Sequence, residues 1–247
     1  TRELCLQIAD DLNDYSKYID NLKVLPVYGG SSIESQIKTL KRGVHVVVAT
    51  PGRLIDLMNR KTVDLSNVKN VILDEADEML DMGFLEDIER IAEAMPETKQ
   101  TLFFSATMSP EINRLVSRFM KEPIQISIER PTLTVPTIEQ VYYEVVFSSR
   151  IEVLSRLLDT GKIKMGLVFA NTKKVVDDVV DGLTARGYAV DRLHGDMPQM
   201  MRERVMDSFR RGSLRLLVAT DIAARGLDVD DVDAVVNFEL PRDPEDY

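Results

Sequence analysis

"VILDEADEML" occupies residues 71–80, and it joins an apolar, β-branched run to a dense group of carboxylates. Asp74, Glu75, Asp77 and Glu78 lie within five consecutive positions. Carboxylates so close together repel one another, so the group requires either solvent or a cation around it. The run before Asp74 is typical of a strand, and the spacing of "EADEML" favours a helix that starts there. The stretch therefore predicts a strand that delivers an acidic turn to one edge of a sheet.

This acidic turn has two interpretations. At the carboxyl end of a parallel strand, Asp74 could hold Mg²⁺ through water, and the next acid could orient and deprotonate an attacking water in phosphoryl transfer. Alternatively, Asp74 caps a helix whose acidic first turn suits the helix dipole. Taken alone, a tetrapeptide favours the second interpretation.

Short β-branched runs alternate with amphipathic helical stretches on both sides of this motif. Such alternation predicts βαβ units and parallel sheets. Before residue 130 the runs are "KVLPVY" (23–28), "HVVVAT" (45–50), "NVILD" (70–74), "QTLFFSAT" (100–107) and "IQISI" (124–128). After residue 138 they are "EQVYYEVVF" (139–147), "MGLVFANT" (165–172), "AVDRL" (189–193), "LRLLVATD" (214–221) and "DAVVNF" (233–238). Because several of the runs are apolar at nearly every position, we expect sheets covered on both faces.

The rhythm is interrupted at "RPTLTVPT" (130–137), which has two prolines and no helical period. This composition is typical of a linker. We therefore expect an α/β protein with two domains, residues 1–130 and 138–247, joined by a linker at 131–137. "HVVVATPGR" (45–53) and "LLVATDIAARG" (216–226) each run from a strand through Val-Ala-Thr to an arginine, which favours a duplicated architecture.

Composition limits the class of protein. The 247 residues are 44% apolar and 29% charged, which suits one large domain or two of about 100–150 residues each. A single cysteine, Cys5, excludes an internal disulfide framework. No apolar run approaches the roughly 20 residues of a membrane helix, and "TRELCLQIADD" has no features of a secretion signal. We expect a cytoplasmic protein without a membrane partner.

The net charge of −10 is shared evenly between the two predicted domains. Residues 1–130 hold 16 Lys and Arg against 21 Asp and Glu, and residues 131–247 hold 15 against 20. This balance argues against a broad basic surface for nucleic acid, although it permits a narrow groove. Local clusters such as "KTLKR" (38–42) and "RERVMDSFRR" (202–211) are, taken alone, solvated helix faces.

Eight short motifs occur in a fixed order along the chain. They are "TREL" (1–4), "GG" (29–30), "TPGR" (50–53), "DEAD" (74–77), "SAT" (105–107), "VFANT" (168–172), "HGDMPQMMR" (194–202) and "ATDIAARGLD" (219–228). This ordered set closely resembles the DEAD-box family of ATP-dependent RNA helicases, over essentially the whole chain. The resemblance implies two RecA-like domains that close around ATP and a short stretch of RNA.

The same resemblance implies roles for the acidic turn and its surroundings. Asp74 would bind Mg²⁺ through water, Glu75 would activate the hydrolytic water, and Asp77 would contact Ser105 and Thr107. The last contact would couple the nucleotide state to domain closure. Gly226 and Asp228 would meet the nucleotide from the second domain.

The resemblance also implies an RNA-binding set. In the first domain it comprises Thr1, Arg2, Gly29, Gly30, Thr50, Gly52 and Arg53. In the second it comprises Asn171, Thr172, His194, Gly195, Gln199, Arg202, Thr220, Asp221 and Arg225. Glycines let backbone N–H groups approach phosphates and arginines pair with phosphates bidentately, so sequence-independent binding is expected. Against this, the glycines could be only loop residues, and His194 could be a structural residue near a strand end.

Several parts of the family pattern are missing from the sequence. None of the twelve glycines fits G-x-x-x-x-G-K-[ST], so the phosphate loop is not found. In the family, that loop and the segment that reads adenine lie upstream of the motif in which this chain begins. The motif that carries the arginine finger lies beyond "PRDPEDY" (241–247). We therefore expect a piece of a longer protein, truncated at the outer ends of both domains and catalytically incomplete by itself.

Three functional classes remain open. The first is an RNA-dependent ATPase and helicase, a monomer with ATP and Mg²⁺ as cofactors. The second is a non-catalytic RNA-binding clamp or scaffold. The third is a DNA-directed helicase of the same superfamily, against which the combination of "DEAD", "SAT" and "QMMR" argues, because it resembles the RNA-directed branch.

Overall fold

The computed structural model describes residues 1–128, 138–224, 229 and 231–241, and in these residues helices alternate with parallel strands. The α/β class expected from the sequence is confirmed. The helices are α1 (Arg2–Tyr15), α2 (Ile33–Lys41), α3 (Pro51–Asn59), α4 (Ala76–Asp81), α5 (Leu85–Glu93), α6 (Pro110–Phe119), α7 (Arg150–Asp159), α8 (Lys173–Thr184), α9 (Gln199–Arg210) and α10 (Asp221–Ala224). The strands are β1 (Val24–Val27), β2 (Val46–Ala49), β3 (Asn70–Leu73), β4 (Gln100–Phe103), β5 (Gly166–Phe169), β6 (Val190–Leu193), β7 (Leu216–Ala219) and β8 (Ala234–Asn237). Within the described ranges we find no helix with the length and apolar content that a bilayer crossing requires.

The chain divides into two compact units, here called the first unit, mainly Leu4–Glu139, and the second unit, mainly Gln140–Tyr247. The predicted linker, residues 131–137, lies outside the described residues. The boundaries 1–130 and 138–247 therefore stay predictions.

The first unit has two separate pairs of strands. β1 pairs with β2 and β3 pairs with β4, both in parallel, and no hydrogen bonds join the two pairs within the described part of the chain. Its buried apolar residues form two clusters that meet on α3. One cluster is built on Leu25, Val27 and Leu57, and another on Leu54, Ile55, Leu65 and Ile91.

The second unit has one sheet of four parallel strands in the order β6-β7-β5-β8. All four residues of β7 are buried, because β7 lies between two neighbours and is covered on both faces. Two larger clusters pack against the sheet. One includes Val168, Val176, Leu183 and Val218, and the other is built around Phe209.

Local sequence explains where several helices begin. Ser32, Ser109 and Thr172 precede α2, α6 and α8, and each side-chain oxygen accepts a hydrogen bond from the backbone N–H three residues later. Pro51 and Pro110 occupy the first helical positions of α3 and α6, where a proline loses no intrahelical hydrogen bond. Helix α3 begins two residues after the end of β2, and α8 begins four residues after the end of β5.

Two strand predictions are wrong. The segment "IQISI" (124–128) forms no strand, and its three isoleucines are exposed. The segment "EQVYYEVVF" (139–147) is likewise irregular, apart from a 3₁₀ turn at Phe147–Ser149. Both segments have strand-like alternation, but a strand also requires a hydrogen-bonding partner, and neither segment has one among the described residues.

Candidate functional site

The acidic turn lies where the sequence predicts it, at the carboxyl end of β3. Asp74 follows the strand directly and is exposed, and its Oδ1 accepts a hydrogen bond from the N–H of Glu75 at 3.0 Å. Glu75 has a left-handed backbone, with φ 50° and ψ 50°. A residue other than glycine adopts this conformation at a cost of about 1–3 kcal/mol, and such strain is concentrated at functional sites. The chain therefore turns sharply between β3 and α4 at Glu75.

Backbone hydrogen bonds fix this turn to the neighbouring strand. The N–H of Phe104 donates to the carbonyl of Leu73 at 2.8 Å, and the N–H of Ala76 donates to the carbonyl of Phe104 at 3.0 Å. The first bond extends the pairing of β4 with β3 by one residue, and the second joins the start of α4 to the same residue, Phe104. As a result, residues 74–77 and residues 105–107 lie at the same edge of the β3–β4 pair.

Asp77 connects the two motifs at this edge. Its Oδ2 accepts hydrogen bonds from the N–H of Thr107 at 2.8 Å and from the hydroxyl of Thr107 at 3.1 Å. The hydroxyl of Ser105 donates to the carbonyl of Thr107 at 2.7 Å, which closes the "SAT" turn. The structure thus brings Asp77, Ser105 and Thr107 together.

The charge state of Asp77 reflects these contacts. Burial acts to raise the pKa of this carboxyl, but hydrogen bonds from Thr107, Ser105 and the N–H of Glu78 outweigh burial and hold the pKa below its usual value. Hydrogen bonds to the charged form stabilise a carboxylate. Asp77 is therefore an ionised acceptor at neutral pH.

The residues at this edge could contribute one ligand to a metal ion, but they do not form a complete set of protein ligands. No group of three or more His, Cys, Asp or Glu side chains in the described ranges could hold a metal. Asp74 nevertheless offers an exposed carboxylate, and its Oδ2 has no hydrogen-bond partner among those residues. Mg²⁺ commonly binds through one or two carboxylates, water and substrate phosphates. Asp74 is thus suited to contact Mg²⁺ only together with a bound phosphate compound.

The loops after β1 and β2 are joined by one arginine. Nη1 of Arg53, on α3, donates to the carbonyl of Ser31 at 3.1 Å and to Oε1 of Gln36 at 2.9 Å. Nε2 of the buried Gln36 donates in turn to the carbonyl of Tyr28 at 3.2 Å. These bonds hold both sides of the "GG" turn. Arg53 therefore stabilises the loop that carries the two glycines, in addition to any contact with phosphate.

The remaining predicted residues of the first unit surround the same loops. The guanidinium of Arg2, at the start of α1, lies beside Gly29, and Nη2 of Arg2 is 3.7 Å from the position that a Cβ atom would take. Gly30 has φ +90°, which favours glycine there. Gly52 lies on α3 beside open space. Thr1 and Thr50 directly precede α1 and α3.

In the second unit, the predicted residues lie at the carboxyl ends of β5, β6 and β7. Asn171 follows β5, with its N–H bonded to Oε2 of Glu239 at 2.9 Å and its Nδ2 to the carbonyl of Leu240 at 3.0 Å. Thr172 caps α8 through its hydroxyl. His194 and Gly195 follow β6.

One residue of the predicted set, Arg202, links the turn after β6 to the helix after β7. Arg202, on α9, donates from Nη1 to the carbonyl of His194 at 3.1 Å and from Nη2 to the carbonyl of Ala223 at 3.4 Å. Nε2 of Gln199, on the same helix, donates to Oε1 of Glu203 at 3.2 Å. Thr220 and Asp221 lie at the end of β7 and the start of α10.

Three predicted residues, Arg225, Gly226 and Asp228, lie outside the described residues. Their roles therefore stay predictions.

Three side chains that organise these loops belong to none of the sequence motifs: Gln36, Asp177 and Arg192. Gln36 occupies a buried position of α2 between Ile33 and Ile37, so a polar residue on an apolar helix face was the available signal. Arg192 pairs with Asp177 at 2.6 Å. Nothing in the sequence pairs these two residues, because they belong to different elements.

Comparisons with known proteins identify related sequences along most of the chain. Residues 1–115 match the model of the DEAD/DEAH box helicase family, and residues 149–247 match the helicase conserved C-terminal domain. The DEAD-box ATP-dependent RNA helicase CshA of Bacillus cereus is 49% identical over all 247 residues, which cover 47% of that protein. CshA of Geobacillus kaustophilus is 47% identical, again over the whole chain and over 53% of the relative. The chain thus spans about half the length of the curated relatives that it matches.

Solved structures give the same result. Saccharomyces cerevisiae Dbp5 bound to RNA and ADP BeF3 is 30% identical, with a TM-score of 0.85 over 98% of this chain and 61% of the Dbp5 chain. The Dbp5 variant L327V, also bound to RNA and ADP BeF3, has a TM-score of 0.86 at 29% identity, over 99% of this chain and 62% of the variant. These values extend the likeness from the motifs to the path of the backbone.

Proposed function

This chain belongs to the DEAD-box helicase family, and from that premise we propose that it is the core of an ATP-dependent RNA helicase in its full-length protein. The observation that carries the proposal is the pair of hydrogen bonds between Asp77 and Thr107. They join the "DEAD" and "SAT" motifs at the edge of a parallel strand pair, where open α/β sheets bind their ligands. The likeness to RNA-bound Dbp5 with ADP BeF3 supports a nucleotide and RNA as the two ligand classes.

Each acidic residue of the turn has a distinct task in this proposal. Asp74 would help to hold Mg²⁺, which when bound would neutralise charge on the phosphates. Glu75 orients the attacking water and accepts its proton. The left-handed backbone of Glu75 sets the direction in which its Cα–Cβ bond leaves the turn after β3. Asp77 couples a movement of the turn to residues 105–107 through its hydrogen bonds to Thr107.

The proposed RNA contacts are made to the backbone of RNA and carry no base identity. They come from the strand-end loops of both units: the "GG" turn with Arg2 and Arg53, and the segments at Asn171, His194 and Thr220. Glycine N–H groups and guanidinium groups recognise phosphates, so unrelated RNA sequences bind alike.

We place this monomeric protein in the cytoplasm, with no membrane partner.

The catalytic part is tested with Glu75→Gln in the full-length protein. We expect ATP and RNA binding to persist while RNA-stimulated phosphate release falls by about a hundredfold or more, because the water loses its base. Glu86→Gln is the matched control, since Glu86 is exposed on α5 and carries the same charge. Near-normal hydrolysis by Glu75→Gln would exclude the role given to Glu75. RNA binding by the parent without any RNA-stimulated hydrolysis would favour a clamp instead.

The RNA part is tested with Arg53→Gln and Gln36→Leu. Both changes break the hydrogen bond between the two side chains, but only the first removes a cation. We expect Arg53→Gln to weaken the binding of unrelated RNAs by similar factors. It should also reduce the steepness of the salt dependence of binding by about one phosphate contact. Gln36→Leu should leave that slope unchanged. Equal slopes for parent and Arg53→Gln would show that Arg53 only supports the loop, and tighter binding of matched DNA than RNA would favour the DNA-directed class.

A further inference from the structure

One ion-pair network in the second unit lies between two of the proposed RNA-binding segments. Arg192, in β6, donates from Nη1 to Oδ1 of Asp177 at 2.6 Å and from Nη2 to Oδ1 of Asp181 at 2.7 Å. Both carboxylates belong to α8 and are four residues apart, so they lie on one face of the helix. A single planar guanidinium therefore holds α8 against β6 at two points.

The same network reaches the turn after β6. Nε2 of His194 lies 3.4 Å from Oδ1 of Asp177, the oxygen that also accepts from Arg192. Nδ1 of His194 has no hydrogen-bond partner among the described residues. Lys173, the first residue of α8, pairs with Asp196 in the same turn, and this ammonium lowers the pKa of Asp196. Three contacts thus connect the first two turns of α8 with residues 192–196.

The position of the network gives it a function. Helix α8 starts directly after Asn171 and Thr172, and β6 ends directly before His194 and Gly195. We propose that Asp177 and Arg192 are positioning residues that hold these two RNA-binding segments at a fixed separation and orient the ring of His194. This inference rests on the proposed function, because it assumes that both segments contact RNA.

Within this network, the pair of Arg192 with Asp177 is less exposed than an ordinary surface ion pair. The side chains of Arg192 and Asp177 are 30% and 40% exposed, whereas the pair of Arg156 with Glu152 on α7 is 77% and 49% exposed. Exposed single pairs contribute little to stability, but a guanidinium that bridges two carboxylates restricts both elements. RNA binding gains from such preorganisation because less order has to be established on binding.

The sign of the effect separates positioning from simple electrostatics. Asp177 is negative, so removing its charge reduces repulsion of RNA phosphates, and electrostatics alone predicts tighter binding for Asp177→Asn. Loss of positioning predicts weaker binding for the same change. Asp178→Asn is the matched control, because Asp178 is the next residue of α8, is exposed and carries the same charge.

The experiment measures binding of a fluorescein-labelled decauridylate RNA to the full-length protein by anisotropy. We expect Asp177→Asn and Arg192→Gln each to weaken RNA binding about fivefold. The double variant should lose no more affinity than the single variant that binds RNA less tightly, because the two side chains act together. Arg192→Lys should recover part of the loss. Asp178→Asn should bind as the parent does, or slightly more tightly.

Steady-state hydrolysis adds a measurement that general destabilisation would not reproduce. For Asp177→Asn we expect a higher KM for RNA with nearly unchanged kcat at saturating RNA, together with a circular dichroism spectrum like that of the parent. One result would overturn the positioning role alone: folded Asp177→Asn binds RNA as tightly as Asp178→Asn, or more tightly, while His194→Ala binds RNA weakly. Unchanged binding by both His194→Ala and Asn171→Ala would overturn the proposed RNA contacts, and the inference with them.

Discussion

The two units contain parallel strands of the same length and similar apolar composition, yet they bury them differently. In the second unit β7 is enclosed between β6 and β5, and all its side chains are buried. In the first unit β3 pairs only with β4 among the described residues, and Ile72 is 60% exposed. Between β7 and β3, burial therefore follows the number of neighbouring strands rather than the apolar content of the strand.

This difference changes what holds the candidate sites in place. The strand-end loops of the second unit rest on a continuous core and on the bridges made by Arg192 and Arg202. In the first unit the acidic turn lies on a small strand pair, next to the exposed side chains of Ile72 and Phe104. Its geometry depends on hydrogen bonds, chiefly those of Asp77 and of the backbone of Phe104.

The largest expected effect compares one phenylalanine from each unit. Phe209 is fully buried in the second unit, and Phe104 is 53% exposed in the first. We expect Phe209→Ala to lower the free energy of unfolding by about 3–5 kcal/mol, because it removes a large side chain and leaves a cavity. Phe104→Ala should cost less than about 1 kcal/mol. Urea unfolding followed by circular dichroism measures both, and similar costs would contradict the contrast between the units.

Much of the fold was predictable, because eight of the ten proposed strands form. Short apolar runs such as residues 46–49 and 216–219, bounded by polar residues, identify strands. The pairing was not predictable. Residues 124–128 and 139–147 have the same alternation as true strands, and only the absence of a partner in the described residues distinguishes them. The two-sided cover expected for "NVILD" also fails at Ile72, because that side chain is 60% exposed.

Hydrogen exchange gives the next largest effect and tests the comparison across whole strands. Amides of β5 and β7 lie in the interior of a four-stranded sheet, so they should exchange mainly by global opening of the second unit. Amides of β3 and β4 should exchange about a hundredfold faster through local opening. Mass spectrometry on the 247-residue chain resolves the two units. Equal protection of β3 and β7 would mean that strand number does not govern stability here.

For the candidate site, the residues of the motifs were predictable from the sequence, but several contacts that support them were not. The resemblance to the DEAD-box family implied that Asp77 contacts Ser105 and Thr107, and the structure brings the three residues together. The sequence did not indicate that Arg53 also supports its own loop, nor that Asp177 contacts both Arg192 and His194. Such contacts are set by packing between elements and leave no periodic trace in the chain.

A smaller effect tests the dependence of the first unit on hydrogen bonds. We expect Asp77→Asn to destabilise the turn by about 1 kcal/mol, because the side chain is partly exposed and loses charge-assisted bonds to Thr107. The pKa of Asp77 is lowered on folding, so its stabilisation is present above the unfolded pKa and is lost as pH falls through the folded pKa. Exchange of the Thr107 amide, measured from neutral pH into the acid range, should show this loss in the parent and not in Asp77→Asn.

The smallest effect concerns exposed ion pairs, which exist in both units and could mask the comparison. Asp56, on α3, pairs at 2.8 Å with Arg60, the residue that follows this helix, and Glu152 pairs with Arg156 on α7 at 3.0 Å. Both pairs have the same four-residue spacing and are largely exposed, so each should contribute about 0.3–0.5 kcal/mol. We therefore expect Arg60→Gln and Arg156→Gln to lower stability equally and slightly, with both losses vanishing at high salt. A loss above about 1 kcal/mol in one unit alone would mean that charge, rather than the number of paired strands, separates the two units.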